Sequence, residues 1–171
     1  MLNAGIAKAM NEQINAELYS AYLYLSMAAW FDAQQLPGFG HWFKVQAQEE
    51  MTHGLRFYSY VNDRGAQVTL AAIAAPPTRW ESPLAAMEAV LVHEQKVTGM
   101  INKLVTLARK ESDYASENLL QWFVKEQVEE ESGVEAVIGK LKLATQAQGG
   151  LFLLDKDMAA RVFVMPLDLT I

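Results

Sequence analysis

The sequence predicts an all-α fold, a four-helix bundle with a long crossover between its second and third helices and a short fifth helix. Three observations carry this. Glycine and proline are scarce and fall between long stretches with three- and four-residue apolar spacing. Those stretches number four, each of about 27 to 33 residues, or about 40 Å and more at 1.5 Å per residue. Between the second and third lies about 18 residues without a helical face, long for a loop in a compact domain.

The first helix spans about Asn3 to Ala33 and stops before Pro37-Gly38. The second runs from Gly38 to Arg64. The segment from Gly65 to Ser82 carries Pro76-Pro77 and many small residues; extended, it reaches about 60 Å. It can therefore run the length of the bundle and leave helices two and three parallel. Helix three starts near Pro83, with Ser82 as N-cap and proline in the first turn, and ends near Lys110. Ser112-Asp113 caps helix four, from Tyr114 to about Gln146. Gly149-Gly150 ends it, and Leu151 to Val162 forms a short helix before Pro166. The turns on either side of the crossover are short, so helices one and two, and three and four, pair antiparallel.

The chain has 171 residues, which suits residues 1–171 as a single domain with a sizeable core. Its net charge of -6 disfavours nucleic acid as a partner and favours a metal cation. With no cysteine there are no disulfides, thiolate metal sites or cysteine nucleophiles. No apolar run approaches the ~20 residues that cross a bilayer, and Met1 to Gln13 begins an amphipathic helix rather than a signal peptide, so the expected location is cytoplasmic.

The core-facing stripes carry the chemistry. Helix one gives Ile6, Met10, Gln13, Glu17, Ala21, Tyr24 and Ala28. Helix two gives Phe39, Phe43, Gln46, Glu50, His53, Phe57 and Tyr60. Helix three gives Met87, Leu91, Glu94, Thr98, Ile101 and Val105, and helix four Leu120, Phe123, Gln127, Glu130, Val134, Val137 and Leu141. Glutamate interrupts each stripe only near its middle, so Glu17, Glu50, Glu94 and Glu130 converge at one level, with His53 and Gln127 one turn away. Buried carboxylates without partners cost several kcal/mol, on the order estimated for unpaired buried ions, and repel one another. No lysine or arginine lies on these stripes, so the compensating cation must be a metal. Oxygen-rich ligands with one imidazole suit Fe(II), Fe(III) or Mn(II). Six ligands leave open positions for dioxygen or water on a pair of ions. Glu50 and Glu130 are best placed to bridge, since their helices each supply a second ligand.

Together, NEQINAELYSAYLY, AQEEMTHGLRFY, HEQ, QWFVKEQVEEE and the short fifth helix resemble the non-haem bacterial ferritins over the whole chain. The resemblance implies a ferroxidase centre that oxidises Fe(II) with dioxygen or hydrogen peroxide. Glu17, Glu50 and His53 would hold one iron, and Glu50, Glu94 and Glu130 the other, with Gln127 alongside. It also implies a shell of 24 identical subunits that stores ferric mineral. Related di-iron bundles carry Glu-x-x-His on two helices. Here the second copy reads Gln127-Val128-Glu129-Glu130, which weakens the second site and argues against haem-containing bacterioferritins. Glu49, Glu126 and Glu129 precede the inner stripe by one residue; by resemblance they form a third iron site that shares Glu130. Tyr24, on the face of Glu17, would bond to a site ligand and give up an electron during oxidation. Trp122 and Met51 are expected to pack, Met51 at a subunit interface without haem, and His41 and His93 to lie at the surface. The apolar segment from Leu151 is expected to bury against other subunits. A haem electron carrier, a DNA-protecting mini-ferritin and a cage without oxidase activity fit less well.

Overall fold

The computed structural model describes residues 1–165. Five helices follow in order: α1 (Ala4–Ala33), α2 (Pro37–Asp63), α3 (Pro83–Lys110), α4 (Tyr114–Ala144) and α5 (Gly150–Met158). No strand occurs among the described residues. The first four match the expected spans within two residues at each end. Their caps give the reason: Asn3 Oδ1 accepts from the amides of Gly5 and Ile6, Ser82 from Ala85, and Asp113 from Ser116. Pro37 and Pro83 occupy the first turns of α2 and α3, where a missing N–H costs nothing.

The crossover is extended and follows α1. Asn11 Nδ2 donates to Gln67 O, Asn15 Nδ2 to Ala71 O and Ala72 O, and Ser26 Oγ to Pro77 O. Both partners advance in the same direction, so the strap delivers the chain to the C-terminal end of α1, where Trp30 meets Trp80 edge-on at 5.7 Å. Helix α3 then runs back along α1 and parallel to α2, as its length predicts. The packed pairs are α1 with α2, α3 with α4, and α1 with α3, while α5 sits on α2 and α4.

Helix α5 ends at Met158 rather than Val162. The residues beyond it are taken up by other contacts: His41 Nε2 bonds to the carbonyl of Arg161 at 2.8 Å, and the β-branched Val162 and Val164 add little helical preference. Pro166 lies outside the described residues. Asp155 anchors α5 by accepting from the Phe39 amide at 3.0 Å, a carboxylate placed at the start of α2. The backbone approaches so closely there that a Cβ on Gly38 would lie 1.7 Å from Asp155 O. The apolar segment is divided. Leu154 and Met158 bury against this chain, whereas Phe152, Leu153, Val162 and Val164 are exposed.

The apolar core falls into two clusters. One gathers Phe31, Phe39 and Phe43 with Met87, Val134 and Leu141; the other gathers Ile6, Met10, Phe57, Ile101 and Phe123. Phe31 stacks on Phe39 at 4.9 Å in the first, and Phe57 on Phe123 at 4.1 Å in the second. A layer of polar side chains separates them.

Candidate metal centre

That polar layer is built from the middle of all four long helices. Glu17, Glu50, Glu94 and Glu130 are all buried, as are His53 and Gln127, although the surrounding stripes are apolar. The expected inner faces of α1 and α4 are buried throughout. On α3 the buried face is rotated slightly, so that Val90 and Val97 are covered while Leu91 and Thr98 are half-buried.

Ligand atoms of Glu17, Glu50 and His53 lie within 4.8 Å of one another, and so do those of His53, Glu126 and Glu130. His53 Nδ1 is 3.4 Å from Glu50 Oε2, one turn along α2. Glu94 is held by two donors through three hydrogen bonds. The Tyr24 hydroxyl donates to its Oε1, and Gln127 Nε2 lies 3.2 Å from both its Oε2 and its carbonyl oxygen. Gln127 also reaches Thr98 Oγ1 at 3.2 Å. Gln13 Nε2 donates to Glu17 Oε1 at 2.8 Å, and Gln46 Nε2 to Glu130 Oε2 at 2.5 Å. Two buried oxygens, Glu17 Oε2 and Gln46 Oε1, have no hydrogen-bond partner among the described residues. Glu17 belongs to the Glu17, Glu50 and His53 group, where an unpartnered carboxylate oxygen suits a hard cation.

The electrostatics follow from this layering. Burial, reinforced by Glu50, pushes the Glu17 carboxyl up to about 8. Burial and the neighbouring Glu94 push Glu130 up to about 7. Glu50 is raised well above the carboxylate range by burial and by Glu94 and Glu130, and burial also raises Glu94. Near neutral pH Glu17 therefore retains a proton and Glu130 retains one in part, and a divalent cation would displace both.

The outer acidic set is assembled differently. Glu49 is partly buried and accepts from Arg161 Nη2. Glu126 is partly buried beside His53 and Glu130. Glu129 is exposed and pairs with Lys125 at 3.3 Å. With Trp42, Glu130 and Arg161 these side chains line an open cavity of about 340 Å³. Arg161 was not singled out in the sequence, because it lies more than 110 positions from Glu49 and on no helix.

Other expectations divide. Trp122 does pack, its ring 5.4 Å from that of His53 and under the Arg56 guanidinium at 4.1 Å. His41 is exposed, and Met51 is 44% exposed. His93 is not a surface residue: it is half-buried, bonds to Ser20 Oγ at 2.7 Å and packs against Tyr19 and Tyr24. Burial lowers its pKa to about 4, so it is neutral beside the glutamate layer.

Residues 7–144 match the family model of the ferritin-like domain. This chain belongs to the ferritin family. It is 42% identical over 163 residues to the bacterial non-heme ferritin of Staphylococcus saprophyticus, covering 95% of this chain and 98% of that protein. A probable bacterial non-heme ferritin-like protein of Haemophilus influenzae is 39% identical over 158 residues, covering 92% and 96%. Among solved structures, the open pore ferritin of Archaeoglobus fulgidus superposes with a TM-score of 0.93 at 46% identity, over 95% of this chain and 100% of that one. An engineered closed form of the same ferritin gives 0.94 at 46% identity, over 96% and 100%. Iron storage is the function that goes with this ferritin family membership, and the Glu17, Glu50 and His53 group fits a di-iron site.

Proposed function

We propose that the chain is a ferroxidase that loads an iron store: it binds Fe(II) as a pair in the buried glutamate layer, oxidises it and passes Fe(III) inward. The observation that carries this reading is the convergence of four buried glutamates and His53 with no lysine or arginine among them, in a layer sealed above and below by apolar clusters. Glu17, Glu50 and His53 hold one iron. Glu50, Glu94 and Glu130 hold the second, with Gln127 alongside, and Glu50 spans the two. Glu49, Glu126 and Glu129, sharing Glu130, form a third seat on the way to the store.

Each Fe(II) gives up one electron. Dioxygen accepts both electrons, takes up two protons and leaves as hydrogen peroxide, or peroxide itself accepts them and leaves as water. The protons released when the raised carboxyls bind metal are available at the same place. Tyr24, buried and donating to Glu94, is placed to supply one of the two electrons the oxidant takes when only one Fe(II) is bound, its proton passing to Glu94 along the same hydrogen bond. Gln127 in place of a histidine gives the second iron a weaker ligand, which favours its onward movement. The exposed apolar residues of the C-terminal segment support assembly with further copies, in a shell of 24 subunits. The chain works in the cytoplasm, where Fe(II) is available.

The test is anaerobic Fe(II) titration of the wild type, Glu50→Ala and His53→Ala, followed by exposure to air. The wild type is expected to bind two or three irons per chain and to oxidise them rapidly, and each variant to slow the oxidation by on the order of 100-fold. A wild type that oxidised iron no faster than buffer would remove the enzyme reading.

A further inference from the structure

The outer acidic cavity already contains a cation, and the protein supplies it. Past α5 the chain turns back over α2, where His41 Nε2 donates to the Arg161 carbonyl at 2.8 Å. The Arg161 guanidinium then lies 4.5 Å from the centre of the Trp42 ring, and its Nη2 donates to Glu49 Oε2. Both side chains of that ion pair are about three-quarters buried, with 25% and 22% of their surface exposed. The guanidinium is thus held by a carboxylate, by an aromatic face and by a backbone anchor on its own residue. It shares one cavity of about 340 Å³ with Glu126, Glu129 and Glu130.

We propose that Arg161 is the resident counter-cation of the third iron seat: it keeps Glu49 from metal and sets how tightly, and in what order, that seat fills. This rests on the reading of Glu49, Glu126, Glu129 and Glu130 as such a seat. A carboxylate oxygen that accepts a guanidinium N–H cannot offer the same lone pair to a metal, and two cations in so small a cavity repel each other. Glu126 and Glu130 lie beside His53, and the Arg161 guanidinium bonds to Glu49 rather than to either of them. Metal therefore reaches those two first, and Glu49 joins only when the guanidinium moves off it. Arg161 is a specificity-determining residue for the outer seat and does not touch the inner pair.

The experiment is calorimetric titration of the metal-free assembled protein with Zn(II), which has no redox chemistry, on the wild type and on Arg161→Gln, Arg161→Met, Arg161→Lys and Glu49→Gln. Thermal melts identify any variant that has lost its fold; two neutral replacements guard against one of them failing. The neutral variants are expected to tighten the weakest binding step by about tenfold. Arg161→Lys should restore the wild-type value, and Glu49→Gln should weaken that step. The proposal is overturned if the neutral variants leave the step unchanged or weaken it while Glu49→Gln still weakens it, since Arg161 would then only pin the chain. Equal tightening by lysine also overturns it, because charge would not be the cause. If Glu49→Gln changes nothing either, no third seat exists and the underlying reading falls with it.

Discussion

The inner and outer acidic clusters sit one residue apart on the same two helices, yet they are neutralised in opposite ways. Glu50 and Glu130 lie between two apolar plugs, Glu50 beside His53 Nδ1 and Glu130 accepting from Gln46, and burial pushes both carboxyls upward. Glu49, one step around α2, reaches a guanidinium supplied by the C-terminal segment, and Glu129, one step around α4, reaches Lys125 and solvent. A rotation of 100° about the helix axis thus separates carboxyls enclosed in the layer from carboxylates paired with a guanidinium or an ammonium, although burial pushes Glu49 upward as well. The inner cluster is poised to exchange protons for metal, and the outer one to exchange one cation for another.

The largest consequence concerns the metal-free protein. Glu17 titrates at about 8 in the folded chain against 4.5 for an ordinary glutamate. Between those values the folded state retains a proton that the unfolded chain has lost, so stability is greatest below about pH 4.5 and falls as pH rises toward 8, as far as this group is concerned. The apoprotein Tm is expected to fall by roughly 5 °C or more from pH 5 to pH 8. Glu17→Gln should lessen that slope, the other raised carboxyls keeping part of it, and saturating Zn(II) should reverse it. A slope of the same size in Glu17→Gln would mean that this carboxyl is not the group that titrates.

Gln46 provides a smaller test. It holds Glu130 from α2, while its own Oε1 has no hydrogen-bond partner among the described residues. Gln46→Leu removes a ligand-orienting bond and also an unpartnered oxygen. Its expected signature is therefore iron oxidation slowed by about tenfold with little change in Tm, read by stopped-flow and by thermal melting. Loss of Tm without loss of rate would make Gln46 a packing residue.

The smallest effect is expected at Glu129. Its side chain is 61% exposed and bound to a mobile-length lysine, so Glu129→Gln should weaken the outermost Zn(II) step by no more than about threefold. A loss as large as that of Glu49→Gln would show that the two outer glutamates contribute equally.

Much of this contrast was legible in the sequence, and the missing part has a clear cause. Three- and four-residue spacing located Glu17, Glu50, His53, Glu94, Gln127 and Glu130 on buried faces, because helical geometry is local and these helices are long and well capped. Ser82, Asp113 and the two prolines marked helix starts for the same reason. The length of the crossover gave the parallel arrangement of α2 and α3. Periodicity could not show Arg161 over Trp42, since that contact depends on where α5 stops and how Asp155 docks it on α2. The position of His93 was missed for a related reason: one residue off the stripe on α3 points at α1, and Ser20 is there to meet it.

Buried glutamates hold protons until metal takes their place. The most direct measurement is the number of protons released per chain when Fe(II) binds without oxygen at pH 7, followed by pH indicator in weak buffer. With Glu17 at about 8 and Glu130 at about 7, and with Glu50 and Glu94 raised as well, release of about two protons or more is expected for the first pair of irons, falling in Glu17→Gln. Binding of the same pair with no proton release would contradict it, because the four carboxylates would then have been charged and paired before the metal arrived.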